Sequence, residues 1–86
     1  MKHAGATALD ELEDLLSQLR RLPLRERSRG VFYFRSRPFL HFHEDPSGLY
    51  ADVRMGTDFV RRGVNSRAER TSLLKEVRRI FHVSGA

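Results

Sequence analysis

The chain has no cysteine, so a disulfide framework and a thiolate metal site are both excluded. Its first sixteen residues, MKHAGATALDELEDLL, hold no signal-peptide core, because acidic residues interrupt the leucines. No apolar run approaches the length of a membrane span, and the cytoplasm is the expected compartment. Also missing are a glycine-rich phosphate loop, a nucleophile with a base partner, an RNP-type motif and a helix-turn-helix. No repeat or low-complexity tract divides the 86 residues. That length allows one domain, residues 1–86, with 1–6 and 84–86 expected as flexible tails. A chain this short buries a modest fraction of its surface, so self-association is one route to stability.

What is present is base and hydrophobic pattern. Sixteen Lys plus Arg face eleven Asp plus Glu, for a formal charge of +5, and fourteen of the sixteen are arginine. That excess bears on partners and says nothing of fold; high arginine usage also follows from GC-rich coding. Hydrophobic content is 40%, enough with clear periodicity for a folded domain.

The organising stretch is Val31 to Met55, VFYFRSRPFLHFHEDPSGLYADVRM, with four of the six phenylalanines and both tyrosines. Apolar and polar residues alternate from Leu40 to His43 and again from Leu49 to Met55, the mark of strands with one face on a core. Asp45-Pro46-Ser47-Gly48 suits a turn: Asp accepts from backbone, Pro presets φ, Gly tolerates positive φ. A four-residue loop puts Glu44 opposite Leu49, His43 opposite Tyr50, His41 opposite Asp52 and Phe39 opposite Arg54. The core face then carries Leu40, Phe42, Leu49, Ala51, Val53 and Met55; the other carries Phe39, His41, His43, Tyr50, Asp52 and Arg54. A three-residue loop with Gly48 as a bulge would set Phe42 against Asp52 and break the pattern, which argues for the first register.

Leu9, Leu12, Leu16 and Leu19 repeat at helical spacing, predicting a helix capped by Thr7 and ended by Pro23. Leu24 to Gly30 reads as a polar connection. Val31 to Arg35 reads as a strand covered on both faces or central in its sheet, and Ser36-Arg37-Pro38 as a hinge. Phe59 to Val64 reads as a short edge strand. Ser66-Arg67-Ala68-Glu69 is a capping box opening a helix whose stripe is Leu73, Leu74, Val77, Ile80 and Phe81. The predicted fold is α+β: an antiparallel meander of three to four strands with an N-terminal and a C-terminal helix packed on one face, in the order α-β-β-β-(β)-α.

Three constellations could carry function. His41 and His43, two apart on a strand, point the same way, and Asp52 faces them across the hairpin, so the three form a metal-ligand candidate set. Alternatively Asp52 orients His41 through a hydrogen bond, and the pair beside Tyr50 becomes a base or a pH-sensitive surface. The bland alternative is a solvated sheet face with cross-strand polar pairs worth ~0.2–1 kcal/mol each. His3 and His82 lie at element ends. Second, Arg25, Arg27, Arg29, Arg35, Arg37, Arg54, Arg61 and Arg62 surround strands bearing Phe39, Tyr33 and Tyr50, an arrangement that can stack and neutralise single-stranded nucleic acid; the alternative is that the arginines are solvated or paired with the eleven acids. Third, Phe39, Tyr33 and Tyr50 on the bare face could be a contact surface for a homodimer or a protein partner. The expected role is a non-catalytic binding module working through the outer sheet face. Its candidate residues are His41, His43, Tyr50, Asp52, Arg54, Arg35 and Arg37, with no catalytic residue and no cofactor assigned.

The run FLHFHEDPSGLYADVR, Phe39 to Arg54, resembles a hairpin shared by small bacterial proteins, especially from GC-rich actinobacteria. They carry HFHED-x-x-GL-x-AD-(V/L)-R followed by an AER helix, here Ala68-Glu69-Arg70. The likeness spans Leu9 to Phe81 and implies a common fold unit without a site. A looser resemblance, an H-x-H with a following A-D, is to the luciferase-like small bacterial domain; it implies no function here.

Overall fold

Pairing of Arg37–Asp45 (β4) with Gly48–Met55 (β5) anchors the architecture. This computed structural model describes residues 2–85, with side chains described as far as Phe81. The remaining elements are β1 (Lys2–His3), α1 (Ala6–Glu11), α2 (Glu13–Leu19), β2 (Arg25–Ser28), β3 (Val31–Phe34), β6 (Asp58–Gly63) and α3 (Arg67–Gly85). The antiparallel strands run in the order β2-β3-β4-β5-β6, with β1 pairing to the end of β4. The fold is α+β with helices at both ends of the chain, and among the described residues no helix is long and apolar enough to cross a membrane.

The β4–β5 register follows the alternation: Leu40↔Val53, His41↔Asp52, Phe42↔Ala51, His43↔Tyr50 and Glu44↔Leu49. The ladder continues to Asp45↔Gly48, so the loop tightens to Pro46-Ser47. Asp45 accepts from the Ser47 backbone N–H (3.1 Å) and hydroxyl (2.7 Å). Gly48 has φ +142, and a Cβ there would lie 2.5 Å from the Asn65 side-chain oxygen. That close approach lets Asn65 bond both backbone groups of Leu49.

Leu40, Phe42, Ala51 and Val53 are buried against Leu12, Leu15, Leu16 and Leu19 of the N-terminal helices and Leu73, Leu74 and Val77 of α3. Leu49, Met55, Ile80 and Phe81 pack partly buried around them. Burial of one such side chain is worth ~1.5–3 kcal/mol, so the leucine stripe holds the helices on the sheet. The Glu69 N–H donates to Ser66 Oγ (3.1 Å), and the Glu69 carboxylate accepts from the Asn65 N–H (2.7 Å), one residue earlier than a capping box expects. β6 lies at the sheet edge, as its arginines suggested.

Several expectations are corrected. Arg25–Ser28, read as a connection, is a strand paired to β3 (Arg25↔Tyr33, Glu26↔Phe32). It carries no apolar alternation; backbone pairing and the Arg20 clamp on the Glu26 carboxylate hold it. The Ser36-Arg37-Pro38 hinge is instead a two-residue turn with Arg35 (φ 51) and Ser36 (φ 68) both left-handed, as tight hairpins of mirror type require. Phe39, assigned to the outer face, belongs to the core at 5% exposure. It is the unmatched residue between Leu40↔Phe32 and Pro38↔Tyr33, and this bulge turns it inward, where its ring lies 5.4 Å from Phe81 and 6.4 Å from Phe34.

The tails also differ from expectation. Lys2–His3 pairs with Glu44 and His43, and α1 starts at Ala6 behind Gly5, whose N–H donates to the Glu44 carboxylate (2.6 Å), so Thr7 is not the cap. The helix over Arg67–Gly85 takes in Ser84 and Gly85; Met1 and Ala86 lie outside the described residues.

Candidate functional site on the bare sheet face

The helices cover one side of the sheet. On the other, the ladder lines up side chains that share a face: His3 beside His43, His41 beside Asp52, and Asp52 beside Arg61. His43 (8% exposed) and Asp52 (9%) are the polar residues buried there.

Asp52 is central. Arg61 donates from Nε to Oδ1 (2.8 Å) and from Nη2 to Oδ2 (3.0 Å). These charge-assisted bonds hold the Asp52 carboxyl below the usual range for an aspartate against the opposing cost of burial. Oδ2 also lies 3.1 Å from His43 Nε2. The same nitrogen is 2.8 Å from His41 Nδ1, and one of the two must carry the proton between them. His43 Nδ1 is buried with no hydrogen-bond partner among the described residues. Burial, then the neighbouring His43, pushes the His41 pKa down from 6.5, so its neutral form is favoured.

The expected His41–Asp52 bond is not formed; Asp52 Oδ2 instead stands 3.1 Å from His43 Nε2 on the diagonal. Asp52 faces His41 in the ladder, but its oxygens are turned by Arg61, while the His41 ring packs on Phe59 (5.2 Å) and stacks on His3 (5.5 Å). His3 meets His43 edge-on at 5.0 Å. One ring nitrogen from each of His3, His41 and His43 lies within 4.8 Å of the others. These three could hold a metal ion; Asp52, already bound by Arg61, stands beside them.

The remaining candidates separate. The Tyr50 hydroxyl bonds Ser47 Oγ (2.8 Å) at the turn, away from the histidines it flanks in register. Arg54 donates to the Pro38 carbonyl (2.8 Å) and lies over Phe59 (4.6 Å). Arg35 sits over Phe34 in the β3–β4 turn, and Arg37 opens β4, exposed. Sequence reasoning missed His3, whose two-residue strand has no local signal. It also missed Arg61 as the Asp52 partner, although counting back through a two-residue loop at Gly56-Thr57 reaches it.

Some arginines are balanced by acids and others are not; among the described residues those without an ion pair include Arg67, Arg78 and Arg79 of α3 on the helix side. Arg20 pairs with Glu13 and Glu26, Arg29 with Asp10 and Glu13, Arg62 with Glu76 and Arg70 with Glu11, and these ion pairs tie the helices to the sheet and to each other. Arg25, Arg27, Arg35, Arg37 and Arg54 make no ion pair among the described residues. Arg25, Arg27, Tyr33 and Arg35, with Pro23, Leu24 and Ser36, line a cleft of about 480 Å³, where Arg27 lies over the Tyr33 ring at 4.6 Å. The apolar contact surface expected from Phe39, Tyr33 and Tyr50 loses Phe39 to the core; among the described residues the exposed large hydrophobic is Phe59, at 40%.

Comparison with protein-family models, with curated proteins and with solved structures gives no match to this chain.

Proposed function

We propose that the chain is a small non-catalytic binding module, that its working surface is the sheet face the helices leave bare, and that its ligand there is single-stranded nucleic acid. The carrying observation is the cleft of Arg25, Arg27 and Arg35 around Tyr33, whose guanidinium groups pair with no carboxylate among the described residues. Arginines already balanced by acids gain little from a phosphate. These three keep their charge for one, and the planar guanidinium fork suits phosphate oxygens. Tyr33 and Phe59 lie on the same side as Arg54, and a base displacing the guanidinium now over either ring would stack there for ~1–3 kcal/mol. Arg54 and Arg37 extend the basic surface along the β3–β4 end.

The test is fluorescence anisotropy of a labelled single-stranded oligonucleotide over a salt series. Binding that weakens linearly in log salt, with a slope set by the phosphates neutralised, supports the reading. No binding at low salt, or binding indifferent to salt, would sink it.

A further inference from the structure

We propose that His3, His41 and His43 form a site for one divalent transition-metal ion of the zinc class. Three observations carry it. One nitrogen from each ring falls within 4.8 Å of the other two. His41 Nδ1 and His43 Nε2 face each other at 2.8 Å. With metal–nitrogen bonds near 2.0–2.1 Å, two ligands of a tetrahedral ion stand about 3.3 Å apart, so the pair needs to open by roughly half an ångström as the shared proton leaves. Last, His43 is 8% exposed, so packing holds its ring in place beside the other two.

The surroundings suit a cation. His41 and His43 project from one strand at alternate positions, and pairing of β1 with β4 brings His3 beside His43. The charged groups nearby are Asp52, next to His43, and Arg61, whose charge Asp52 offsets. Phe59 packs against the His41 ring at 5.2 Å. Three imidazoles with no thiolate available favour zinc, cobalt, nickel or copper over calcium or magnesium, which take oxygen. Three protein donors leave a tetrahedral position for water. Because His3 rides on a strand of two residues, coordination would also fasten the N-terminal segment to the sheet.

The experiment uses the untagged full chain, free of nucleic acid, so its outcome is independent of the oligonucleotide test. Zinc is titrated by calorimetry and cobalt by visible absorption. Nickel and copper are avoided, since His3 with its preceding backbone amides can chelate them alone. The expected result is one zinc per chain, a rise in melting temperature that grows with zinc concentration, and cobalt bands of low symmetry. Exposed His3→Ala should keep the fold and lose at least roughly tenfold in zinc affinity, since even partners outside the ligand shell are worth about that much. His41→Gln should lose as much or more. Zinc affinity in His3→Ala equal to that of the parent, or no one-to-one zinc binding by the folded parent at submillimolar concentrations, would overturn the proposal.

Discussion

Asp52 faces His41 across the ladder, yet both of its oxygens accept from Arg61 on the far side, and Oδ2 lies 3.1 Å from His43 Nε2. Arg61 thereby fixes how the carboxylate stands between the two histidines. His43 becomes the buried, oriented ring; His41 keeps a bond only to His43 and aromatic contacts to Phe59 and His3.

This arrangement makes Asp52 and Arg61 unequal. Asp52→Ala leaves the half-exposed Arg61 to water and His43 Nε2 to His41, and should cost ~1–3 kcal/mol in urea unfolding. Arg61→Ala leaves the buried Asp52 carboxylate without its charged partner, so it should cost at least as much as Asp52→Ala. A clearly smaller loss for Arg61→Ala would contradict the geometry.

Phe39 separates the bulged ladder from a regular one. Inward, at 5% exposure against Phe34 and Phe81, Phe39→Ala should cost ~3–5 kcal/mol. On the solvent face it would cost ~0.5 kcal/mol or less. The urea midpoint at unchanged m-value decides between them.

Arg35 and Ser36 both sit at positive φ, a conformation costing ~1–2 kcal/mol per residue with a side chain. Ser36→Gly should therefore stabilise the protein by about 1 kcal/mol, less the added freedom of the unfolded chain. Thermal unfolding checks the sign, and a lower midpoint would mean the turn is relaxed.

The pH dependence follows from His41. Its folded pKa lies below 6.5, chiefly through burial, so the unfolded chain takes up the proton first as pH falls. The stability contributed is present above pH 6.5 and is lost as pH drops through the depressed folded value. Asp52, held down by Arg61, acts in the same direction in more acid solution. Histidine ring NMR should show His41 titrating low, with the urea midpoint falling between pH 7.5 and 5.5. A midpoint that rose over that interval would oppose this.

For the nucleic-acid reading, Tyr33→Ala should weaken oligonucleotide binding by ~1–3 kcal/mol, the value of one stacked base. Arg27→Ala should weaken it and lower the salt slope by about one. Arg67→Ala, exposed at the start of α3 on the helix side, should change neither. Equal losses for Arg67 and Arg27 would mean a diffuse charge effect without a site on the sheet.

Local pattern determined a large share of this molecule. Alternation from Leu40 to Met55 and a Pro-Ser turn between Asp45 and Gly48 set the central register, because a slip by one residue would turn Phe42 and Val53 away from the helices and His41 and Asp52 under them. The leucine stripes named the buried faces of both helical regions, and the arginines of Phe59 to Val64 marked an edge. Tertiary structure decided the rest. β1 and β2 have no hydrophobic signal, since backbone bonds to distant strands hold them. The bulge that turns Phe39 inward depends on how β3 meets β4. His3 reaches His43 across some forty residues of chain, and Asp52 chooses between two histidines only once Arg61 arrives from β6. Pattern in the chain reports which side a residue favours; which partner it meets is settled when strands remote in sequence close on one another.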